Sequence, residues 1–144
     1  MIKEKIAAYQ IPYQAIPAIK NGADYILEDG SVISNEELTE KPAAVRKFAY
    51  CSDTMYSEAI LPIIEGVDLL FHEATFMHDL LPQAEKTMHS TAKQAASIAK
   101  QAKVKQLILG HFSSRYADLN PLLEEATAVF ESTSLAEEGR NISI

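Results

Sequence analysis

One cysteine, Cys51, is all this chain has, so no internal disulfide can hold it and its stability has to come from an apolar core. A lone thiol suits a reducing compartment. No apolar run approaches the roughly 20 residues of a membrane-spanning helix. The N-terminus MIKEKIAAYQ lacks the apolar centre of a secretory signal. The chain therefore reads as cytoplasmic, with no membrane as partner. No internal repeat or low-complexity tract interrupts it. What is present is ordinary: 144 residues, 47% hydrophobic and 23% charged, enough for a single domain over 1–144 with a buried core.

Acid is missing from one stretch. The formal charge of −7 argues against a nucleic-acid partner when taken over the whole chain. Between Lys86 and Ala117, however, six basic residues (Lys86, Lys93, Lys100, Lys103, Lys105 and Arg115) occur with no aspartate or glutamate. That segment carries +6 and leaves −13 for the remainder. Two readings stay open: a strip that faces a polyanion, or a lysine-rich solvated helix face.

Residues 1 to 23, with Pro12 and Pro17, read as a short helix and an irregular connection. Asp29-Gly30 between Tyr25-Ile26 and Val32-Ile33 is a strong hairpin signal. Ser34 to Pro42 reads as a polar surface connection with room for one helical turn. Phe48 to Cys51 reads as a strand, and Ser57 as the N-cap of a short helix through Ile64 that Pro62 weakens. Gly66 closes that helix, and Val67 to Phe71 is a second strand. After a loop containing Pro82, Ala92, Ala95, Ala96, Ala99 and Ala102 keep one stripe of a helix over about Ser90 to Ala102. Leu107 to Leu109 reads as a third, buried strand. Asn120-Pro121 caps and starts a helix with Leu122, Leu123, Ala126, Val129 and Phe130 on its inner face. Arg140 to Ile144 suits a last strand. Strand and helix in alternation predict an α/β layer with a mainly parallel sheet.

In such a sheet, chemistry collects just past the carboxyl ends of the strands. Ser52-Asp53-Thr54, His72-Glu73, and His111 with Ser113, Ser114, Arg115 and Tyr116 follow three successive strands. His89-Ser90-Thr91 opens the alanine-rich helix. Asp53 and His111 suit metal coordination, since carboxylate and neutral imidazole are both zinc donors. A carboxylate can also bridge two ions. Plainer roles stay open for each residue. An aspartate after a strand commonly forms a turn or caps a helix, Glu73 can be a solvated charge, and Arg115 can belong to a surface ion pair. His72 and His78 read as structural histidines, and Cys51 as packed core.

Taken together and in order, the four motifs Ser52-Asp53-Thr54, His72-Glu73-Ala74-Thr75-Phe76, His89-Ser90-Thr91 and His111-Phe112-Ser113-Ser114-Arg115-Tyr116 resemble ribonuclease Z. The likeness runs from about Ile11 to the C-terminus. That family consists of tRNA 3′-processing endonucleases with the metallo-β-lactamase fold. The resemblance implies a zinc enzyme, with two ions in the full-length protein. It implies that Asp53 is the bridging carboxylate and His111 a ligand of one ion. By the same resemblance, His89 protonates the departing ribose oxygen, Glu73 orients His89, and Arg115 and Ser113 lie near the substrate phosphate. The implied partner is precursor tRNA, and the implied assembly of the full-length protein is a homodimer.

Parts of the family pattern have no counterpart here. The motif His-x-His-x-Asp-His is absent, and no two of His72, His78, His89 and His111 stand two residues apart. The further upstream histidine ligand and the protruding arm that grips tRNA are absent too. The resemblance thus implies the C-terminal half of an αββα sandwich, mainly one sheet flanked by helices, with the N-terminal half absent. Two ligands fall short of the about three that a catalytic zinc takes from protein. This chain alone is therefore expected to bind metal weakly or not at all, to be inactive, and to expose an apolar face. Rival readings are another hydrolase of this fold acting on a small phosphodiester or sulfate ester, a metal-free module that binds RNA or a partner, and a structural α/β domain whose polar strand ends are caps.

Overall fold

The structure, a computed structural model, describes residues 1–41 and 43–144; Pro42, the end of the expected surface connection, lies outside the described residues. The chain divides into two compact units, Met1–Val45 and Arg46–Ile144.

The first unit is built on a few apolar anchors. Helix α1 (Lys3–Ala8) is followed by a 3-10 turn (Tyr13–Ala15) that runs into α2 (Ile16–Lys20), so the stretch read as irregular is helical. Pro17 explains the difference. In the first turn of α2 its missing N–H has no bond to forfeit. The hairpin forms as predicted, with β1 (Tyr25–Ile26) antiparallel to β2 (Val32–Ile33) in the register Tyr25↔Ile33. Asp29 closes the turn by accepting from Ser31 N–H at 2.9 Å, and Gly30 takes a φ of +83° that favours glycine. One helical turn, α3 (Asn35–Leu38), brings Leu38 into a small core with Ile11 and Ile19.

The second unit carries a four-stranded parallel sheet in which neighbours in space are neighbours in sequence: β3 (Phe48–Cys51), β4 (Leu69–Glu73), β5 (Leu107–Gly110) and β6 (Thr133–Leu135). The crossovers hold α4 (Leu61–Ile64) after β3, α5 (Leu81–Lys86) and α6 (Ala92–Gln101) after β4, and α7 (Asn120–Thr127) after β5. Strand alternation gives the sheet two apolar faces. On one, Leu70, Ala74, Leu107 and Leu109 pack with Ala92, Ala95, Ala96 and Ala99 of α6 and with Leu122 and Ala126 of α7. The alanine stripe is wholly buried, and its small side chains bring the helix close to the strands. On the other face Phe48, Leu69, Phe71 and Ile108 line an apolar hollow. Tyr50 stacks on Phe71 with ring centroids 4.6 Å apart. Phe48 and Tyr50 keep 55% and 64% of their surface exposed, more apolar surface than a finished face of a sheet shows. A β-carbon at Gly110 would collide with the Phe71 ring where it stands, so the ring in this position depends on a glycine there.

Several boundaries differ from the sequence reading, most of them at prolines. Ser57 makes no capping bond: the chain enters through a 3-10 turn (Glu58–Ile60), and Pro62 stands in the first turn of α4. The loop expected around Pro82 is α5, again with proline in its first turn. Asn120 is the first helical residue rather than the cap, and Asp118 accepts its N–H at 3.0 Å. Val67 belongs to the turn before β4, since its N–H donates to Ile64 O. Arg140 to Ile144 forms no strand. The fourth strand is Thr133–Leu135, whose Thr and Ser gave no apolar run to detect.

Candidate metal centre and proton-donor site

Strand register sets this site. Cys51 pairs with His72, His72 with Leu109, and Glu73 with Gly110, so β3, β4 and β5 end at one level. The segments that follow share one edge of the sheet, as parallel topology dictates. Asp53 and His111 both turn the backbone there in the left-handed region, at φ +48° and +56°. Non-glycine residues hold that conformation only where the surroundings enforce it. Asp53 Oδ1 and His111 Nε2 lie 3.2 Å apart. His89 joins them from the turn between α5 and α6, so that one donor atom each of Asp53, His89 and His111 lies within 4.8 Å of the others.

Behind His89 stands Glu73, a carboxylate with no exposed surface. Its Oε1 accepts from Thr54 N–H at 2.6 Å and lies 3.0 Å from His89 Nδ1. Its Oε2 accepts from the Thr75 hydroxyl at 2.7 Å and from Ser90 N–H at 3.0 Å. Burial alone would raise the Glu73 carboxyl, but the bonds from Ser90, Thr75, His89 and Thr54 together hold it below the usual carboxylate range. A carboxylate can only accept, so His89 presents Nδ1–H to it and keeps Nε2 free. The next two residues fix the turn. Ser90 Oγ donates to Thr54 O at 2.7 Å, and Thr91 caps α6 in a reciprocal pair with Gln94.

Phe76, 4% exposed, is a platform between two polar groups. The His89 ring meets it edge-on at 6.2 Å, and the Arg115 guanidinium lies 4.9 Å above it. Arg115 Nε donates to Ser113 Oγ at 3.1 Å. An exposed guanidinium is thereby held beside the histidines with most of its fork open to an oxyanion. The basic strip is less uniform in space than in sequence. Lys105 pairs with Asp68 at 2.7 Å and Lys103 with Glu65 at 3.9 Å. Lys105 first, with Lys47 N–H and Arg46 also contributing, lowers the Asp68 carboxyl to about 2.

All six residues singled out in the sequence, Asp53, Glu73, His89, His111, Ser113 and Arg115, thus fall around one edge. Thr54, Ser90 and Phe76 support them and were missed as site residues. Thr54 and Ser90 act through backbone N–H groups, which no side-chain pattern announces. Phe76 had a signal, since it directly follows the polar cluster. His72 is buried as expected of a structural histidine, with Nδ1 2.8 Å from Glu73 O. The carboxylate of Asp53 and the imidazole of His111 suit a metal such as zinc, and the third nearby donor, His89, has its Nδ1 engaged by Glu73.

This chain is similar to known proteins. The Beta-lactamase superfamily domain profile matches residues 14–112. A protein named Ribonuclease Z from Parabacteroides distasonis is 49% identical over 144 residues, which is 100% of this chain and 47% of that protein. One of the same name from Phocaeicola vulgatus is 51% identical over 142 residues, 99% of this chain and 46% of that protein. The chain spans about half the length of the curated relatives it matches. Among solved structures, the metallo-beta-lactamase fold protein YhfI from Bacillus subtilis superposes with a TM-score of 0.59 at 29% identity, covering 63% of this chain and 37% of that one.

Proposed function

Because the chain belongs to the beta-lactamase superfamily, we propose that it forms the C-terminal half of a zinc-dependent endoribonuclease of the ribonuclease Z type, which removes 3′ trailers from precursor tRNA. One observation carries the reading: Asp53, Glu73, His89 and His111, spread over nearly 60 residues of chain, meet at one edge of the sheet, with Asp53–His111 and Glu73–His89 each at hydrogen-bonding distance and one donor atom each of Asp53, His89 and His111 within 4.8 Å of the others. About half of all residues are identical to proteins named Ribonuclease Z across the whole chain, which supports the same activity.

Asp53 and His111 would hold the metal, with Asp53 free to bridge a second ion. Zinc, when bound, supplies Lewis acidity that activates water and compensates phosphate charge. The chain's own residues do the rest. Arg115, steadied by Phe76 and Ser113, grips a phosphate oxygen and fixes the scissile group. His89 donates a proton to the departing ribose oxygen, and Glu73 behind it holds the ring in place through Nδ1. Donors for a metal pair have to come from outside residues 1–144, so the isolated chain is catalytically silent. The open apolar face of Phe48, Tyr50 and Phe71 is what the other half would cover. The full-length protein acts as a cytoplasmic homodimer. The test is incubation of that protein with a precursor tRNA and, separately, with small phosphodiesters and sulfate esters. Release of the trailer is expected, and hydrolysis of small esters alone would overturn the proposal.

A further inference from the structure

Glu125 stands on the inward stripe of α7, between the buried residues Leu122 and Ala126, and is itself half-buried. Its carboxylate accepts from the backbone of two segments that lie apart in sequence. Oε2 accepts from His78 N–H at 3.0 Å, and Oε1 from Lys93 N–H at 3.0 Å.

Those two N–H groups mark the far ends of a pairing. Past β4 the chain runs beside the start of α6, where Phe76 and Thr91 form a parallel bridge. Phe76 N–H donates to Ser90 O at 3.4 Å, and Ala92 N–H to Phe76 O at 2.9 Å. Tyr116 supports the same stretch, its hydroxyl accepting Met77 N–H at 3.0 Å. The first N–H groups of a helix have no partner inside it. In α6, Ala92 N–H goes to Phe76 O, Lys93 N–H to Glu125, and Gln94 N–H to Thr91 Oγ1 at 3.2 Å. Glu125 is the charged member of that set, and a negative charge suits the positive end of a helix. His89 lies just before this turn, and its ring meets Phe76 edge-on. Glu125 thus ties the segment that carries His89 to the segment that carries the ring beside it.

We infer that Glu125 is a positioning residue: by clasping residues 76–78 to the first turn of α6, it keeps His89 aimed at the departing oxygen without touching substrate. The inference rests on the proton-donor reading of His89 given above.

The test uses the full-length protein. Glu125→Ala should slow single-turnover cleavage of precursor tRNA by about 10–100-fold, the scale of a misplacement of about 1 Å. Most of that loss should vanish when sulfur replaces the departing ribose oxygen and no proton has to be supplied. In a His89→Ala background the substitution should cost nothing further. Glu125→Gln keeps an acceptor oxygen and should restore most of the rate. A carboxylate that served stability alone would slow both substrates alike and add to the His89→Ala loss, and either result overturns the inference, as does a wild-type rate in Glu125→Ala. Where Glu125→Ala does not fold, Glu125→Asp, one methylene shorter, takes its place with the same expectations. Hydrogen exchange gives a reading without RNA: the His78 and Lys93 amides should be protected in the wild-type protein and lose that protection in the variant. Fast exchange of both in the wild type overturns the inference whatever the variants do. Protected amides in a wild-type protein that leaves precursor tRNA uncut would sink the functional reading and leave the clasp standing.

Discussion

Glu73 has no exposed surface, yet its Oε1 lies 3.0 Å from the Nδ1 of His89, a side chain that keeps 23% of its own surface open. A buried carboxylate is costly unless its lone pairs are filled. Here two backbone N–H groups, a hydroxyl and an imidazole fill them. The charge is stabilised from behind, and the histidine carries its effect to the surface.

Replacing Glu73 by Gln tests that arrangement in the fold itself. The amide would turn an NH2 group toward Thr54 N–H or Ser90 N–H, donor against donor. Urea unfolding of Glu73→Gln should show a loss of about 1–3 kcal/mol, the usual cost of stranding buried polar groups. Wild-type stability would mean that the bonds at Glu73 contribute nothing net.

Gly110 and Phe71 make a second test, independent of function. Gly110→Ala sets a methyl against the Phe71 ring and should destabilise by about 1–3 kcal/mol, as overpacking does. Adding Phe71→Leu should recover part of that loss. Strictly additive effects in the double-mutant cycle would show that the two do not meet.

Acid should weaken the fold in two steps. Burial holds the His72 imidazole below its ordinary 6.5, and its Nε2 finds no partner among the described residues. Below that pH the unfolded chain takes up a proton that the folded one refuses, so stability is lost as pH falls through about 6.5. Glu73, held below its ordinary 4.5, adds a further loss as pH falls below that value. Denaturant midpoints against pH should show both limbs, and His72→Asn should flatten the first.

Arg115 should matter to binding more than to chemistry. In the full-length protein, Arg115→Lys keeps the charge but loses the fork, and KM for precursor tRNA should rise about tenfold with kcat little changed. Phe76→Leu removes the ring beneath the guanidinium and should act in the same direction, on the scale of about 1 kcal/mol. A fall in kcat alone for either variant would contradict the assignment.

Much of this architecture was readable beforehand because it rests on local chemistry. Apolar runs at Phe48, Leu69 and Leu107 became parallel strands, and the alanine stripe became a helix buried on them. Parallel topology then did what spacing alone could not, bringing Asp53, Glu73 and His111 to one edge. Prolines read in the sequence as breakers, yet Pro17, Pro62 and Pro82 each stand in a first turn, where the missing N–H has no bond to lose. The polar strand Thr133–Leu135 lies at an edge and needs no apolar alternation. The backbone N–H groups of Thr54 and Ser90 were invisible because every residue but proline carries one. The lysine strip lost part of its apparent charge to Asp68 and Glu65, which are distant in sequence.

The most direct measurement of the central claim compares single-turnover cleavage by the wild-type full-length protein and its His89→Ala variant, using precursor tRNA with oxygen or sulfur at the departing ribose position. A sulfur leaving group needs no proton. The account predicts that His89→Ala keeps its zinc, loses about 10²–10⁴-fold on the oxygen substrate, and recovers most of that loss on the sulfur one. Wild-type rates on the oxygen substrate, or equal losses on both, would contradict it.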